Sequence, residues 1–151
     1  MNSLPDHLRL LACSQFRQQR SEQAVRRAHQ QLQPLRRELS GFEAQEASLQ
    51  NLLASHRPVD CVLDHGQLLA LLRTQAVIRR QIDLVRLERD RVAGECRQLE
   101  HSLQAQREQL RALQRKQDNY QRSVQQLLRA QRLERVRRNE REMEEMTGAR
   151  R

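Results

Sequence analysis

The sequence predicts an all-α protein: a long antiparallel two-helix coiled-coil hairpin with a longer C-terminal helix. Apolar residues recur at alternating steps of three and four along most of the chain, and aromatic residues make up only 2%. The strongest helix breaker in the middle of the chain is Pro58. Because Leu, Arg, Gln, Glu and Ala form helices well, the composition suits a long, narrow seam between helices better than a compact core.

The first helix is predicted over about residues 4–56. Its seam positions follow the three-and-four spacing, which averages about 3.5 residues and is typical of left-handed coiled coils. These positions are Val25, Ala28, Leu32, Leu35, Leu39, Phe42, Glu46, Leu49 and Leu53.

A turn is predicted at about residues 57–64. Pro58 has no amide proton to donate, and it disfavours helical geometry at Arg57. Asp64 is placed to cap a new helix, and Gly66 tolerates the close approach of a turn.

The second helix is predicted over about residues 65–147, so the whole chain, 1–151, would form a single coiled-coil domain. Its seam positions repeat with the same spacing over many heptads. They are Leu68, Leu71, Gln75, Ile78, Ile82, Val85, Arg89, Val92, Cys96, Leu99, Leu103, Gln106, Leu110, Leu113, Gln117, Tyr120, Val124 and Leu127.

The pairing register is predicted from the turn. If the helices meet between His56 and His65, facing residues have numbers that sum to about 120 or 121, because antiparallel helices advance in opposite directions. Leu39 would then face Ile82. Glu46 would face Gln75, which favours this register over a slip by one heptad.

In that register residues 118–147 project past the start of the first helix. Their apolar stripe would have no cover within the hairpin, and an exposed stripe of this length implies a partner. The stripe consists of Tyr120, Val124, Leu127, Leu128, Leu133 and Val136. Oligomeric state stays open, since an exposed seam could also pair with itself.

Catalytic and metal-binding motifs are absent from the sequence. We therefore predict no enzyme activity, no cofactor and no small-molecule substrate. His56, Cys61 and His65 crowd the turn and could in principle hold a metal ion, but polar residues are common in turns, so we predict no metal site. The three cysteines are widely spaced, which argues against a disulfide framework.

The net charge of +9 permits contact with nucleic acid, acidic proteins or an anionic membrane surface. Nucleic-acid binding is disfavoured, because the basic cluster follows the heptads and aromatic residues for base stacking are scarce. A basic coiled-coil nucleic-acid-binding protein and a plain structural coiled-coil scaffold both stay open as alternatives. No apolar run approaches the roughly 20 residues that span a bilayer.

Three segments resemble the YscO/FliJ group of type III secretion stalk proteins. "HLRLLACSQFRQQRSEQAVRRA" is similar to the Leu- and Arg-rich opening of that family. "LSGFEAQEASLQNLLASHRPV" resembles its aromatic and Glu-rich run before a turn, and "RVRRNEREMEEM" resembles its tail.

This resemblance implies a non-catalytic stalk or adaptor that binds inside the ring of a secretion ATPase hexamer. It also implies contact with the cytosolic domain of an export-gate membrane protein and with secretion chaperones. We expect a cytoplasmic protein at the periphery of the membrane-embedded apparatus. The partner-binding residues are predicted near the two termini: Leu8, Arg9, Leu11, Arg17, Leu127, Arg129, Arg132, Leu133, Arg135, Val136, Arg137 and Arg138.

Overall fold

A computed structural model describes residues 3–150 of the chain. Two helices pack against each other, α1 at Leu4–Ser55 and α2 at His65–Gly148. No strand occurs among the described residues. The protein is therefore an all-α helical hairpin with a longer second helix, which confirms the predicted fold class.

The connector between the helices is held by side-chain caps. The Gln67 amide N–H donates to Asp64 Oδ1 at 2.7 Å, and the Asp64 amide N–H donates to Gln67 Oε1 at 3.2 Å. This reciprocal pair satisfies two amides at the start of α2 and confirms the capping role predicted for Asp64. At the end of α1 the Ser55 hydroxyl donates to the Leu52 carbonyl at 2.7 Å. Asp60 lies in the left-handed region with a φ of 53°.

One compact unit comprises Arg26–Gln104, and we call it the apolar-seam unit. Leu32 and Val92 are fully buried in it, while Glu46 and Gln75 are its buried polar residues. The other buried apolar residues are Ala28, Ile78, Ile82, Val85, Cys96 and Leu103. All of them are predicted seam positions, so heptad spacing correctly identified the buried face.

The other unit comprises Met1–Val25 and Ala105–Arg151, and we call it the polar-seam unit. Of the residues of this unit that the structure describes, Ser14 and Val124 are buried. Among residues 3–150, five side-chain atoms are buried without a hydrogen-bond partner, and all of them lie in this unit. They are His7 Nδ1, Ser14 Oγ, Gln18 Oε1, Gln106 Oε1 and Gln117 Oε1.

The predicted register is wrong. Glu46 forms ion pairs with Arg86 and Arg89, so the residue numbers sum to 132 and 135 rather than 120. Arg36 pairs with Glu100 at 3.2 Å, a sum of 136. The helices are therefore shifted by roughly two heptads from the predicted pairing, and the one-heptad slip is wrong as well.

The cause of this shift lies in the connector. The Gln75 side-chain amide, predicted to face Glu46, donates to the His56 carbonyl at 3.0 Å. The first ten residues of α2 therefore extend beyond the end of α1, and Leu68, a predicted seam residue, is 42% exposed. Pro58 and Cys61 line a shared recess with this first part of α2. An extended residue advances about 3.3 Å and a helical residue 1.5 Å. A connector of few residues can therefore cover the same distance as a helical stretch of more residues.

The uncovered part of α2 is shorter than predicted. Tyr120 and Leu127 are half-buried and Val124 is only 7% exposed, so the prediction that these three residues are uncovered is wrong. The two-heptad shift extends the cover that α1 gives to α2. Every residue from 128 to 150 is exposed. We call residues 128–148, the exposed end of α2, the overhang.

Candidate partner-binding surface

The overhang exposes apolar side chains along a helix that has no cover in the hairpin. The exposed fraction is 58% for Leu133 and 51% for Val136, as predicted for the stripe. Leu128, Met143 and Met146 are exposed as well. Single exposed apolar residues are common on proteins, but several on one bare helical segment offer a surface on which another molecule can pack.

Charge is sorted along the overhang. Residues 129–138 carry Glu134 and five arginines, whereas residues 140–145 carry Arg141 and four glutamates. The arginines are Arg129, Arg132, Arg135, Arg137 and Arg138. Among residues 3–150, every ion pair lies within the apolar-seam unit. The arginines of the overhang are therefore available to a partner.

The predicted site residues near the N-terminus fall into two groups. Leu8 and Arg9 are exposed and Leu11 is half-buried. All three belong to the polar-seam unit, as does Leu127. Arg17 is also exposed, but it lines a recess with Lys116, which lies earlier in α2 than Leu127. Of the predicted N-terminal site residues, Arg17 is therefore the one that lines a recess between the two helices.

That recess is a surface feature that sequence reasoning did not find. It lies between α1 and α2 within the polar-seam unit and contains no carboxylate. We call it the basic groove. Its lining residues are Arg17, Arg20, Ser21, Ala24, Gln106, Gln109, Ala112, Leu113 and Lys116. The sequence signal for this recess was a set of small residues beside the seam, since short side chains leave space open between two helices. These residues are Ser21, Ala24 and Ala112.

The buried carboxylate of the apolar-seam unit has a structural explanation. Arg86 Nε donates to Glu46 Oε1 at 2.6 Å, and Arg89 donates to Glu46 Oε2. The hydrogen bond from Arg86, with the charges of both arginines, lowers the pKa of Glu46. A carboxylate held in its charged form by two cations links the helices and shows none of the raised pKa values typical of a general acid.

The described residues offer no metal-binding cluster. Within residues 3–150 no group of three or more His, Cys, Asp or Glu side chains is placed to hold a metal ion. In the same range neither helix contains a stretch long and apolar enough to cross a bilayer. The overhang and the basic groove are two surface features that suit binding to another macromolecule.

Comparison with known families identifies the chain. The family model described as Salmonella surface presentation of antigen gene type M protein matches residues 6–147. The chain belongs to this family. Surface presentation of antigen M proteins are components of type III secretion, which confirms the predicted secretion system. Comparisons with curated proteins and with solved structures gave no match.

Proposed function

We propose that this member of the family is a non-catalytic stalk or adaptor of the type III secretion export apparatus. The observation that carries the proposal is the overhang, a bare helical segment with exposed apolar residues and five arginines. A helix of this kind has the width to enter the central opening of a ring, and its side chains have no other use in the hairpin. The proposed partner is the secretion ATPase hexamer.

The mechanism that we propose is mechanical. Arginines that leave water for the lumen of a ring form stronger contacts with carboxylates and carbonyl groups than exposed arginines do. A single asymmetric helix in a symmetric ring contacts some subunits differently from others. Because a ligand shifts an equilibrium by its differential affinity for the two states, the overhang would favour particular subunit conformations and stimulate turnover.

The proposed adaptor role extends to two further partners. The resemblance to the YscO/FliJ group supports contact with the cytosolic domain of an export-gate membrane protein and with secretion chaperones. Leu8, Arg9 and Leu11, near the start of α1, are the residues that we propose for such contacts.

The test is the ATPase rate of the hexamer from the same secretion system, measured with and without this protein. We expect the double variant Leu133→Gln/Val136→Gln to lose the stimulation, and the charge reversal Arg135→Glu/Arg138→Glu to lose it as well. The matched control is Leu84→Gln/Leu87→Gln on the same helix, whose side chains are 56% and 67% exposed. This control replaces two exposed apolar side chains at the same spacing outside the overhang and should stimulate normally.

A folding control separates loss of binding from loss of structure. Exposed substitutions usually change the free energy of unfolding by about 0.5 kcal/mol or less, so all three variants should melt close to the parent protein. Normal stimulation by the overhang variants would contradict ring insertion. Equal loss in the Leu84/Leu87 control would show that the effect is not specific to the overhang.

A further inference from the structure

The basic groove has a charge and a shape that the hairpin itself does not use. Arg17, Arg20 and Lys116 converge on it, and none of them forms an ion pair with another residue in the range 3–150. Its apolar lining comes from Ala24, Ala112 and Leu113. An occupant that matches this surface would be an acidic helix that also presents apolar side chains.

The chain itself contains a segment of this chemistry. Residues 140–146 carry four glutamates together with Met143 and Met146, all of them exposed. This segment cannot fold back into the groove of its own chain, because α2 is continuous from Leu113 to Met143. At 1.5 Å per residue those two positions are about 45 Å apart.

The groove and the acidic end of the overhang share positions in the heptad count along α2. Residues that are multiples of seven apart share a position in a heptad repeat. Leu133 and Glu140 share the position of Ala112, which lines the groove, and Glu144 shares that of Lys116. An α2 helix that follows the heptad repeat, as it does in a coiled coil, presents on one face the basic groove first and the acidic segment about four heptads later.

We propose that two copies of this chain associate through that face, with their α2 helices antiparallel. A register that places Glu140 of one copy opposite Lys116 of the other also places Glu144 opposite Ala112, beside Arg20. The same register is symmetric about residue 128, so each overhang fills the groove of the other copy. The two contacts are identical, which gives a closed two-fold dimer rather than an open chain of molecules.

Charge complementarity favours a second copy as the occupant of the groove. Lys116 and the two arginines meet the glutamates of the overhang, whereas a parallel arrangement would set acidic segments against each other. This proposal goes beyond the proposed function, because it concerns the free protein. The dimer and the ATPase ring would bind the same overhang. Self-association would therefore cover the overhang until the ring displaces the second copy.

The experiment is sedimentation equilibrium of the full chain, without any ATPase, from about 5 µM to about 500 µM. We expect the mass to rise from 17.9 kDa toward twice that value as concentration increases. Raising the ionic strength from about 0.05 M to about 0.5 M should weaken the association by about tenfold or more, because the pairs lie at a solvated surface. A single 17.9 kDa species throughout would overturn the proposal and leave the groove to an acidic segment of a different protein.

Complementary charge reversal tests the register. Variant one is Arg17→Glu/Arg20→Glu and variant two is Glu140→Arg/Glu144→Arg. Each alone should associate at least about tenfold more weakly than the parent, since like charges then face each other at both contacts. Mixed together, they should form a mixed dimer, in which both contacts again join opposite charges.

The matched control is Arg26→Glu/Arg27→Glu, which reverses two exposed arginines of α1 outside the groove. It should associate like the parent. Circular dichroism should show unchanged helicity in every variant. A dimer that ignores the charge reversals, or a mixture that fails to restore association, would overturn the proposal, whatever the outcome of the ATPase measurements.

Discussion

The two units of the hairpin use the same spacing of seam positions but fill it with different chemistry. The apolar-seam unit buries Leu32 and Val92 completely, and its buried carboxylate at Glu46 is paired with two arginines. The polar-seam unit places serine, histidine and glutamine on its seam and leaves atoms such as Gln106 Oε1 buried without a partner. Each such atom costs about 1–3 kcal/mol of desolvation.

This difference indicates a division of roles between the units. A coiled-coil seam gains stability from buried apolar area, so the apolar-seam unit supplies most of the stability of the hairpin. The polar-seam unit is held less firmly, and it carries the basic groove and the overhang. Segments that bind and move are generally drawn from the less stable part of a structure.

The largest difference is expected from truncation of a seam leucine. Leu32→Ala should lower the free energy of unfolding by about 2–3 kcal/mol, because it removes a fully buried side chain and leaves a cavity. The same change at Leu11, which is half-buried in the polar-seam unit, should cost about 1 kcal/mol. Urea unfolding followed by circular dichroism measures both. Equal costs would remove the distinction between the units.

A smaller effect of opposite sign is expected when seam glutamines are made apolar. Gln106→Leu removes a buried atom that has no partner and should stabilise the protein by about 1 kcal/mol. Gln75→Leu serves as the control, because the Gln75 amide donates to the His56 carbonyl. Loss of this hydrogen bond should destabilise the protein by about 1 kcal/mol. Thermal unfolding of both variants shows whether the polar-seam unit bears the unsatisfied polar groups.

The smallest effect is expected from pH. Because the arginines lower the pKa of Glu46 in the folded state, this carboxylate stabilises the fold at pH values above its pKa in the unfolded chain. That stabilisation is lost as the pH falls through the lower, folded pKa. Glu46→Gln should therefore be less stable than the parent at pH 7, and the difference should shrink toward pH 2. A constant difference in urea unfolding between pH 7 and pH 2 would contradict this pairing.

The buried face and the helix ends could be predicted from sequence for local reasons. Seam positions from Val25 to Leu53 repeat every three or four residues, and a buried stripe on a helix requires that spacing. Asp64 and Gln67 form a cap within four residues of each other, so their positions alone indicate it. The family resemblance also came from short local segments, and the match over residues 6–147 confirms the type III secretion assignment.

The register could not be predicted, because heptad repeats are nearly unchanged by a shift of two heptads. Matching Glu46 with Gln75 was one of several polar pairings that the sequence allowed. Glu46 in fact pairs with Arg86 and Arg89. Which residues face Glu46 depends on how far the connector runs beside α2. The length of the overhang and the place of the basic groove follow from the register, so neither was accessible from the sequence alone.

The division into a firmly held unit and a loosely held unit is tested most directly by amide hydrogen exchange of the free chain. The measurement should use about 1 µM protein, where self-association contributes little, and compare seam-forming segments of both helices. We expect residues 28–53 and 75–103 to exchange at least about tenfold more slowly than residues 8–24 and 106–127. Equal protection of the two sets, or slower exchange in the polar-seam unit, would contradict this division.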